Sequence, residues 1–210
     1  ELVERGHIFI AQPPLYKIKK AKQEEYLLDD TALNRAMLQA ALEGADLHVN
    51  AETVPLARTA LETLARDYQV FVGIIKRLST RYDAVFLDEL AKAPALDDRL
   101  LADAQAFGEW RNNLERRLNQ LQSLSLHYQL RLADPTSVRP GSLELVRLIH
   151  GIPETRIIPL DFFHTADYAK ILDYGRKVEG LIEPGAYIVR GERRKEITEL
   201  GEGIRWLLAE

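Results

Sequence analysis

The sequence predicts an α+β protein in which a pair of long helices is joined to a small, mostly antiparallel sheet. Apolar residues recur every three or four positions over about 55–82 and again over about 103–122, which is the spacing of amphipathic helices. From 126 to 132 the period becomes two, which is typical of a half-buried strand. These changes of period place the helix pair before the sheet in the chain.

The composition is that of a globular chain that forms one large domain or two small ones. Of the 210 residues, 46% are hydrophobic and 29% are charged, and the lack of cysteine excludes disulfides and thiolate metal sites. There is neither an apolar run of membrane-spanning length nor a secretory signal, so we expect a cytoplasmic protein with no membrane partner. The chain starts at Glu1 in place of methionine, and we expect a fragment. Because the net charge is −4, any contact with nucleic acid should be confined to local clusters.

The first 28 residues predict a buried strand followed by a lysine-rich hairpin. His7–Ala11 is a short apolar run, and Pro13 and Pro14 end it because proline cannot donate to a sheet. Leu15–Lys20 and Gln23–Leu28 then predict a strand and its returning partner. The arm carries four lysines: Lys17, Lys19, Lys20 and Lys22. Such a density of positive charge favours contact with a phosphate backbone.

A short helix is predicted at Thr31–Leu42. Asp29 and Asp30 precede it and Gly44 follows it. An acidic pair also suggests a metal site, but aspartates before a helix satisfy its unpaired amides and its dipole. We therefore interpret the pair as a cap.

The two long helices carry comparable apolar stripes. The first stripe contains Leu61, Leu64, Tyr68, Phe71, Ile75, Leu78 and Tyr82. The second contains Phe107, Trp110, Leu114, Leu118 and Leu121. Because Pro94 lies in a polar link between them, the simplest arrangement is an antiparallel pair. Gly73, inside the first helix, predicts the close approach of another backbone.

Smaller elements and a second cationic cluster complete the chain. After the strand at Leu126–Leu132, the predicted elements are strands at Ser142–His150 and Thr155–Leu160 around a Gly151–Pro153 turn, a helix at Thr165–Ile182, a strand at Ala186–Arg190 and a helix at Glu199–Leu208. The second cluster consists of Arg190, Arg193, Arg194 and Lys195. For both clusters the alternative to phosphate binding is a solvated surface.

Signals for catalysis are weak throughout the sequence. There is no nucleophile elbow, phosphate-binding loop or H-E-x-x-H pair. The five histidines, at positions 7, 48, 127, 150 and 164, do not have the spacing of metal ligands. Asp161 and His164 suggest an acid–base pair, but we interpret Asp161 as a cap before the helix at Thr165. We therefore predict no catalytic residue and no metal site.

Two segments resemble the family of DNA gyrase B subunits. The first reads E-R-G-H-I-F-I-A-Q-P-P-L-Y-K-I-K-K at 4–20 and K-Q-E-E-Y-L-L-D-D at 22–30, and it is similar to the region that follows the metal-binding motif of the family's Toprim domain. The second reads A-Y-I-V-R-G-E-R-R at 186–194 and is similar to the far end of the insertion that Gram-negative members carry inside that domain. Ala21 departs from the first pattern, because the family usually has Gly there.

The resemblance implies that the chain is part of an ATP-dependent type II topoisomerase that negatively supercoils DNA. It would comprise a Toprim-derived strand and hairpin (1–40), an insert domain (41–195) and a helix that returns into the Toprim domain (196–210). The family's Mg²⁺ and ATP sites use motifs that these residues lack, so the fragment should have no cofactor and no activity of its own. The implied partners are the gyrase A subunit, the rest of the gyrase B subunit and duplex DNA, in an A2B2 heterotetramer.

The same resemblance implies that the middle of the chain is a scaffold that also influences DNA binding. We therefore expect both cationic clusters to contact DNA phosphates: Lys17, Lys19, Lys20, Lys22, Arg190, Arg193, Arg194 and Lys195. A protein-interaction scaffold with no DNA contact is the alternative, and the acidic balance and the helix stripes favour it. An unrelated small enzyme is a third hypothesis.

Overall fold

The computed structural model describes residues 3–6, 13–20, 23–120, 125–133 and 141–209. Within these residues it contains seven α-helices and three small antiparallel sheets, so the predicted α+β class is confirmed. The chain divides into two compact units, one of residues 1–62 and 184–210 and the other of residues 63–183. None of the described helices is both long enough and apolar enough to cross a membrane.

The described elements follow one another as short strands and helices. In chain order they are β1 (Tyr16–Lys20), β2 (Gln23–Leu27), α1 (Asp30–Leu42), β3 (Ala45–His48), α2 (Arg58–Leu78), α3 (Ala84–Leu90), α4 (Asp98–Ala102), α5 (Ala104–Gln120), β4 (Leu126–Leu132), β5 (Ser142–Ile149), β6 (Ile152–Pro159), α6 (Ala166–Val178), β7 (Tyr187–Arg190), β8 (Arg193–Glu196) and α7 (Leu200–Ala209). A 3₁₀ helix at Leu160–His164 precedes α6. The predicted strand at His7–Ala11 lies outside the described residues.

The first unit packs α7 against a three-stranded sheet in the order β3-β7-β8. Leu47 and Ile188 pair across β3 and β7, and both are fully buried. α7 contacts both α1 and β7, and a Cβ at Gly203 would lie 3.5 Å from Ile188. Gly203 weakens the intrinsic propensity of α7 for a helix, but it allows close packing of helix against sheet.

The first long helix is shorter than predicted. It ends at Leu78 instead of near Tyr82, and the hydroxyls of Ser79 and Thr80 donate to the carbonyls of Lys76 and Arg77. The chain then turns, and Asp83 caps a separate helix, α3, which the sequence pattern did not predict. The apolar spacing of the first stripe continues to Tyr82, so the sequence pattern did not show that the helix ends at Leu78.

The two long helices have packing partners that the sequence pattern did not predict. Phe71 of α2 stacks on Tyr174 of α6, with ring centroids 4.3 Å apart, and Tyr68 packs against the same ring. α5 packs against α3, α4 and β4. The shorter elements between and after the long helices therefore supply packing partners that the sequence pattern did not predict, and the direct pairing of α2 with α5 stays a prediction.

Side chains of α5 cover the outer edge of β4. Asn119 accepts a hydrogen bond from the Tyr128 amide (2.7 Å) and donates one to the Tyr128 carbonyl (2.9 Å). Glu115 accepts from the Leu130 amide (3.0 Å). An edge strand exposes unpaired backbone groups, and these three bonds satisfy part of that edge.

A tight hairpin joins β5 to β6. Ile149 pairs with Ile152, so the turn consists of His150 and Gly151, with φ values of 50° and 82°. Two successive positive φ values are the signature of a type I′ hairpin turn. The predicted turn at Gly151–Pro153 was wrong: the observed turn begins one residue earlier, at His150, and ends two residues earlier, because Ile152 and Pro153 belong to β6.

Close backbone approach occurs in α6 and not at Gly73 as predicted. A Cβ added to Gly73 would have no neighbour within 4 Å. A Cβ added to Gly175 would lie 1.7 Å from the carbonyl oxygen of Ala91. Gly175 therefore allows α6 to pack directly on the end of α3.

A buried carboxylate connects α3 to the second sheet. Asp83 is 7% exposed and accepts from the amides of Val85 and Phe86, each at 3.0 Å. Its other oxygen accepts from Arg147 at 3.0 Å, and the Tyr128 hydroxyl donates to the carboxylate at 3.4 Å. The ion pair and the amide bonds compensate for the burial of this charge.

Because Tyr128 belongs to this network, we expect the free energy of unfolding to fall at high pH. Burial, and then the nearby Asp83 charge, raise the pKa of Tyr128 to about 12. The folded state therefore retains this proton more tightly than the unfolded state, and the stabilisation is complete below pH 10 and lost between about pH 10 and 12. Tyr128→Phe should remove about 2 kcal/mol of the decline in unfolding free energy over that interval.

Urea unfolding of both proteins at a series of alkaline pH values measures this difference. Lysine titration affects the two proteins alike and cancels in the comparison. Parallel loss of stability in wild type and Tyr128→Phe would contradict the assigned role of the phenol.

Candidate nucleic-acid interface

The β1–β2 hairpin presents two lysines, a glutamate and a tyrosine on one face. Lys17 pairs with Tyr26 and Lys19 with Glu24 in the antiparallel register, and residues two apart along a strand share a face. The side chains of Lys17 and Lys19 are 45% and 67% exposed. The predicted hairpin is thus confirmed, and its cationic face is accessible to a large ligand.

Glu24 interacts with both lysines of this face. One carboxylate oxygen lies 2.7 Å from Lys17 Nζ, and the other lies 4.0 Å from Lys19 Nζ. Lys17 Nζ also lies 5.4 Å from the centroid of the Tyr26 ring. Exposed ion pairs of this kind contribute only about 0.2–1 kcal/mol each, so an external anion can displace them.

The other two predicted lysines of the arm are less completely described. The backbone of Lys20 pairs with Gln23 at the end of β1, but its side chain lies outside the described part of the structure. Lys22 lies in the undescribed segment 21–22. Their contact with phosphate stays a prediction.

The base of the hairpin is attached to α1. The Tyr16 hydroxyl donates to the Asp30 carboxylate, and this hydrogen bond raises the pKa of Tyr16. Leu27 is buried, and Asp29 caps α1 by accepting from the Ala32 amide at 2.7 Å, as predicted for this acidic pair. The lysine face therefore projects from an anchored base.

Two cations of the second cluster are bound within the fold. Arg190 donates to the carbonyls of Ala40 (3.1 Å) and Leu207 (3.4 Å), near the carboxyl ends of α1 and α7. These helix ends carry partial negative charge and carbonyls without helical partners. Lys195 lies 3.1 Å from Glu202, and it is the main cause of the lowered pKa of that carboxyl.

The remaining two cations, Arg193 and Arg194, are exposed. Arg194 is exposed and stacks over the Tyr187 ring at 3.7 Å, and Tyr187 stacks on His48 with centroids 4.3 Å apart. His48 Nδ1 donates to the carbonyl of Thr53 at 2.9 Å. Arg193 is exposed at the start of β8. Because residues alternate between faces along β7 and β8, the register places Arg190, Arg193 and Lys195 on one face and Arg194 on the other.

Asp161 and His164 were the residues considered for acid–base catalysis. Thr165, and not Asp161, caps α6 by accepting from the Tyr168 amide, so the predicted Asp161 cap is wrong. His164 Nε2 lies 3.4 Å from Asp98. Among the described residues, no group of three or more histidine and carboxylate side chains is placed to hold a metal ion.

Sequence reasoning missed the residues that are most strongly connected by charge. Glu89 is buried between Lys92 and Arg117, at 3.0 and 3.1 Å, and Asp83 pairs with Arg147. The two arginines lie 28 and 64 residues from their partners in the chain, so local spacing gave no signal for these two pairs. Glu24 was detectable in principle, because the hairpin register alone places it opposite Lys19.

Comparison with known proteins gives consistent matches over most of the chain. The family model of the DNA gyrase B subunit insert domain matches residues 45–210, and the model described as GyrB, hook matches residues 14–42. The DNA gyrase B subunit of Rickettsia bellii is 26% identical over 175 residues, which cover 81% of this chain and 20% of that protein. The DNA gyrase B subunit of Caulobacter vibrioides is 34% identical over 106 residues, which cover 50% of this chain and 13% of that protein.

Proposed function

Because the chain belongs to the family of DNA gyrase B subunits, we propose that it is a non-catalytic insert that supports DNA binding and the arrangement of subunits in a DNA-supercoiling enzyme. The matched segments span 20% or less of the length of the two relatives named above. ATP hydrolysis, magnesium-dependent cleavage and strand passage are assigned to the remainder of that enzyme. The observation that carries the DNA-binding part of the proposal is the exposed lysine face of the β1–β2 hairpin.

The geometry of this face suits a nucleic-acid backbone. Lys17 and Lys19 are two residues apart on one strand, which separates their attachment points by about 7 Å. Successive phosphates of one DNA strand have a comparable separation, so each lysine can meet its own phosphate. Lysine–phosphate contacts release condensed counterions and provide affinity without sequence selectivity.

The scaffold part of the proposal is supported by the buried carboxylates of the second unit, which form ion pairs within the fold. Its buried carboxylates, Asp83 and Glu89, are held by arginine or lysine and belong to the packing of α3. Asp97 caps α4 by accepting from the Leu100 amide. These groups stabilise the fold, which is what a rigid spacer between larger parts requires. We propose the gyrase A subunit, the rest of the gyrase B subunit and duplex DNA as its partners, in a cytoplasmic A2B2 assembly.

Lysine footprinting of the assembled enzyme tests this proposal. The complete gyrase B subunit, in complex with the gyrase A subunit, would be acylated with and without duplex DNA and analysed by mass spectrometry. Lys17 and Lys19 should lose most of their reactivity when DNA is present, because phosphate covers their amines. Lys76 and Lys170, which are exposed on the second unit, are the internal controls and should keep theirs. Unchanged reactivity of Lys17 and Lys19 on DNA would contradict the proposed contact.

A protein-interaction scaffold without DNA contact is the second candidate. Leu15 and Leu28 are 67% and 66% exposed, and they flank the paired residues Tyr16 and Leu27 at the base of the hairpin. Exposed apolar side chains in neighbouring positions favour a protein partner. The same footprint separates the candidates, because a protein partner would protect the hairpin when the gyrase A subunit is added, before any DNA is present.

A further inference from the structure

We infer that Glu24 is an internal competitor for the DNA phosphates, and that it sets the affinity and the salt dependence of the lysine face. This inference rests on the proposed DNA contact. In the protein alone, the two carboxylate oxygens occupy positions beside Lys17 and Lys19. DNA binding then exchanges one anion for another at these two amines.

The strand register explains why Glu24 alone can affect both Lys17 and Lys19. Glu24 lies directly opposite Lys19 in the register and diagonally from Lys17. Diagonal neighbours on one face of an antiparallel pair are within reach of long side chains. The closer contact is with Lys17 at 2.7 Å, so Lys17 is the more strongly neutralised of the two amines.

Exchange is feasible because the pairs are exposed. The side chain of Glu24 is 41% exposed, and each lysine is at least as accessible. Solvent screens such pairs, and a phosphate backbone offers many more charges than one carboxylate. Glu24 therefore weakens DNA binding without preventing it, and it gives the wild type a smaller salt dependence than two fully available lysines would.

Glu25 provides a matched control on the same strand. It pairs with Ile18, so it lies on the opposite face of the hairpin from Lys17, Lys19 and Glu24, and the register places Lys20 diagonally from it on that face. Both glutamate substitutions are therefore compared in a Lys20→Ala background, which removes that lysine from the comparison. Glu24→Gln and Glu25→Gln change the net charge by the same amount and keep the side-chain shape. A difference between them therefore reports the local pairing and not the overall charge.

The experiment measures the affinity of the enzyme, assembled from complete gyrase B and A subunits, for linear duplex DNA over a salt series. Glu24→Gln should tighten binding by about three- to tenfold at low salt, the range expected for releasing two exposed ion pairs. It should also steepen the slope of log K against log salt by up to about one. Glu25→Gln should change both quantities less.

A Lys17→Ala/Lys19→Ala background completes the test. There, Glu24→Gln and Glu25→Gln should have equal effects, because the amines that Glu24 neutralises are gone. If the double lysine variant weakens binding but Glu24→Gln and Glu25→Gln behave alike where Lys17 and Lys19 are intact and Lys20 is alanine, Glu24 is not a competitor and the proposed function stands. If the double lysine variant binds DNA as tightly as wild type, the proposed contact and this inference both fail.

Discussion

Replacing Gly175 by alanine should destabilise the second unit by about 3 kcal/mol, at the upper end of the usual cost of overpacking. The added Cβ would lie 1.7 Å from the Ala91 carbonyl oxygen and 2.6 Å from the carbonyl carbon. These are backbone atoms at the end of α3, so a rotamer change cannot relieve the clash. α3 and α6 must therefore move apart, and this loosens the packing between the two helices.

Gly73→Ala is the matched control for this substitution. Gly73 is also inside a helix, but a Cβ there would meet nothing within 4 Å. Alanine has the higher helix propensity, so Gly73→Ala should stabilise by up to about 1 kcal/mol. The same chemical change is therefore expected to have opposite signs at the two positions.

Tryptophan fluorescence during urea unfolding measures both effects. Trp110 is buried in the second unit, and a Trp206→Phe background leaves it as the sole tryptophan of the 210 residues. A lower midpoint for Gly175→Ala and a higher one for Gly73→Ala are expected. Equal stability of Gly175→Ala and wild type would show that α3 and α6 are not in the close contact described.

The contrast between these glycines illustrates what sequence patterns can predict. A glycine inside an apolar helix pattern indicates that a backbone is close, but it does not identify which glycine or which partner. Gly73 had the stronger sequence signal, because it lies within a long stripe, yet its surroundings are open. The approach at Gly175 depends on Ala91, 84 positions earlier in the chain, and no local spacing reports a contact of that range.

Helices and strands were predictable where the apolar residues recurred regularly over many positions. The alternation from Leu126 to Leu132 gave the bounds of β4, and Asp29 marked the start of α1. β3 and β8 have only four residues each and were missed, whereas β7, which is equally short, was predicted from its apolar run Y-I-V; β8 has the charged sequence R-R-K-E. Such a strand has no apolar alternation, although its charge suits the edge of a sheet.

Part of the candidate site was predictable for the same reason. The lysine hairpin was found because its charge is local in sequence. The pairing of Arg190 with the carbonyls of Ala40 and Leu207 was not, because it depends on helix ends that are far away in the chain. The sequence analysis grouped Arg190 with the other cations of the second cluster because they are close in sequence. Its hydrogen bonds to Ala40 and Leu207 show that it stabilises the first unit.

Removing the lysines of the hairpin should have the largest effect on DNA binding. Lys17→Ala/Lys19→Ala/Lys20→Ala/Lys22→Ala, made in the complete gyrase B subunit, should weaken duplex DNA binding by the assembled enzyme on the order of a hundredfold at low salt. The physical reason is the loss of counterion release at each phosphate contact. Replacing the same four residues by arginine keeps the positive charge and should leave the affinity close to that of wild type.

A second control separates local contact from general electrostatics. Lys76→Ala/Arg81→Ala/Lys170→Ala/Arg176→Ala removes four exposed cations from the second unit and changes the net charge by the same amount. If charge alone determined binding, this variant would lose as much affinity as the hairpin variant. We expect it to lose much less.

The salt dependence of DNA binding by the hairpin variant is the most direct test that the lysines of the hairpin contact the phosphate backbone. Each lysine that contacts a phosphate should contribute about 0.9 to the slope of log K against log salt, so removal of the four should flatten the slope by up to about 3.6. The arginine variant should keep the wild-type slope. An unchanged slope in the alanine variant would show that these lysines do not meet DNA and that the chain acts as a spacer alone.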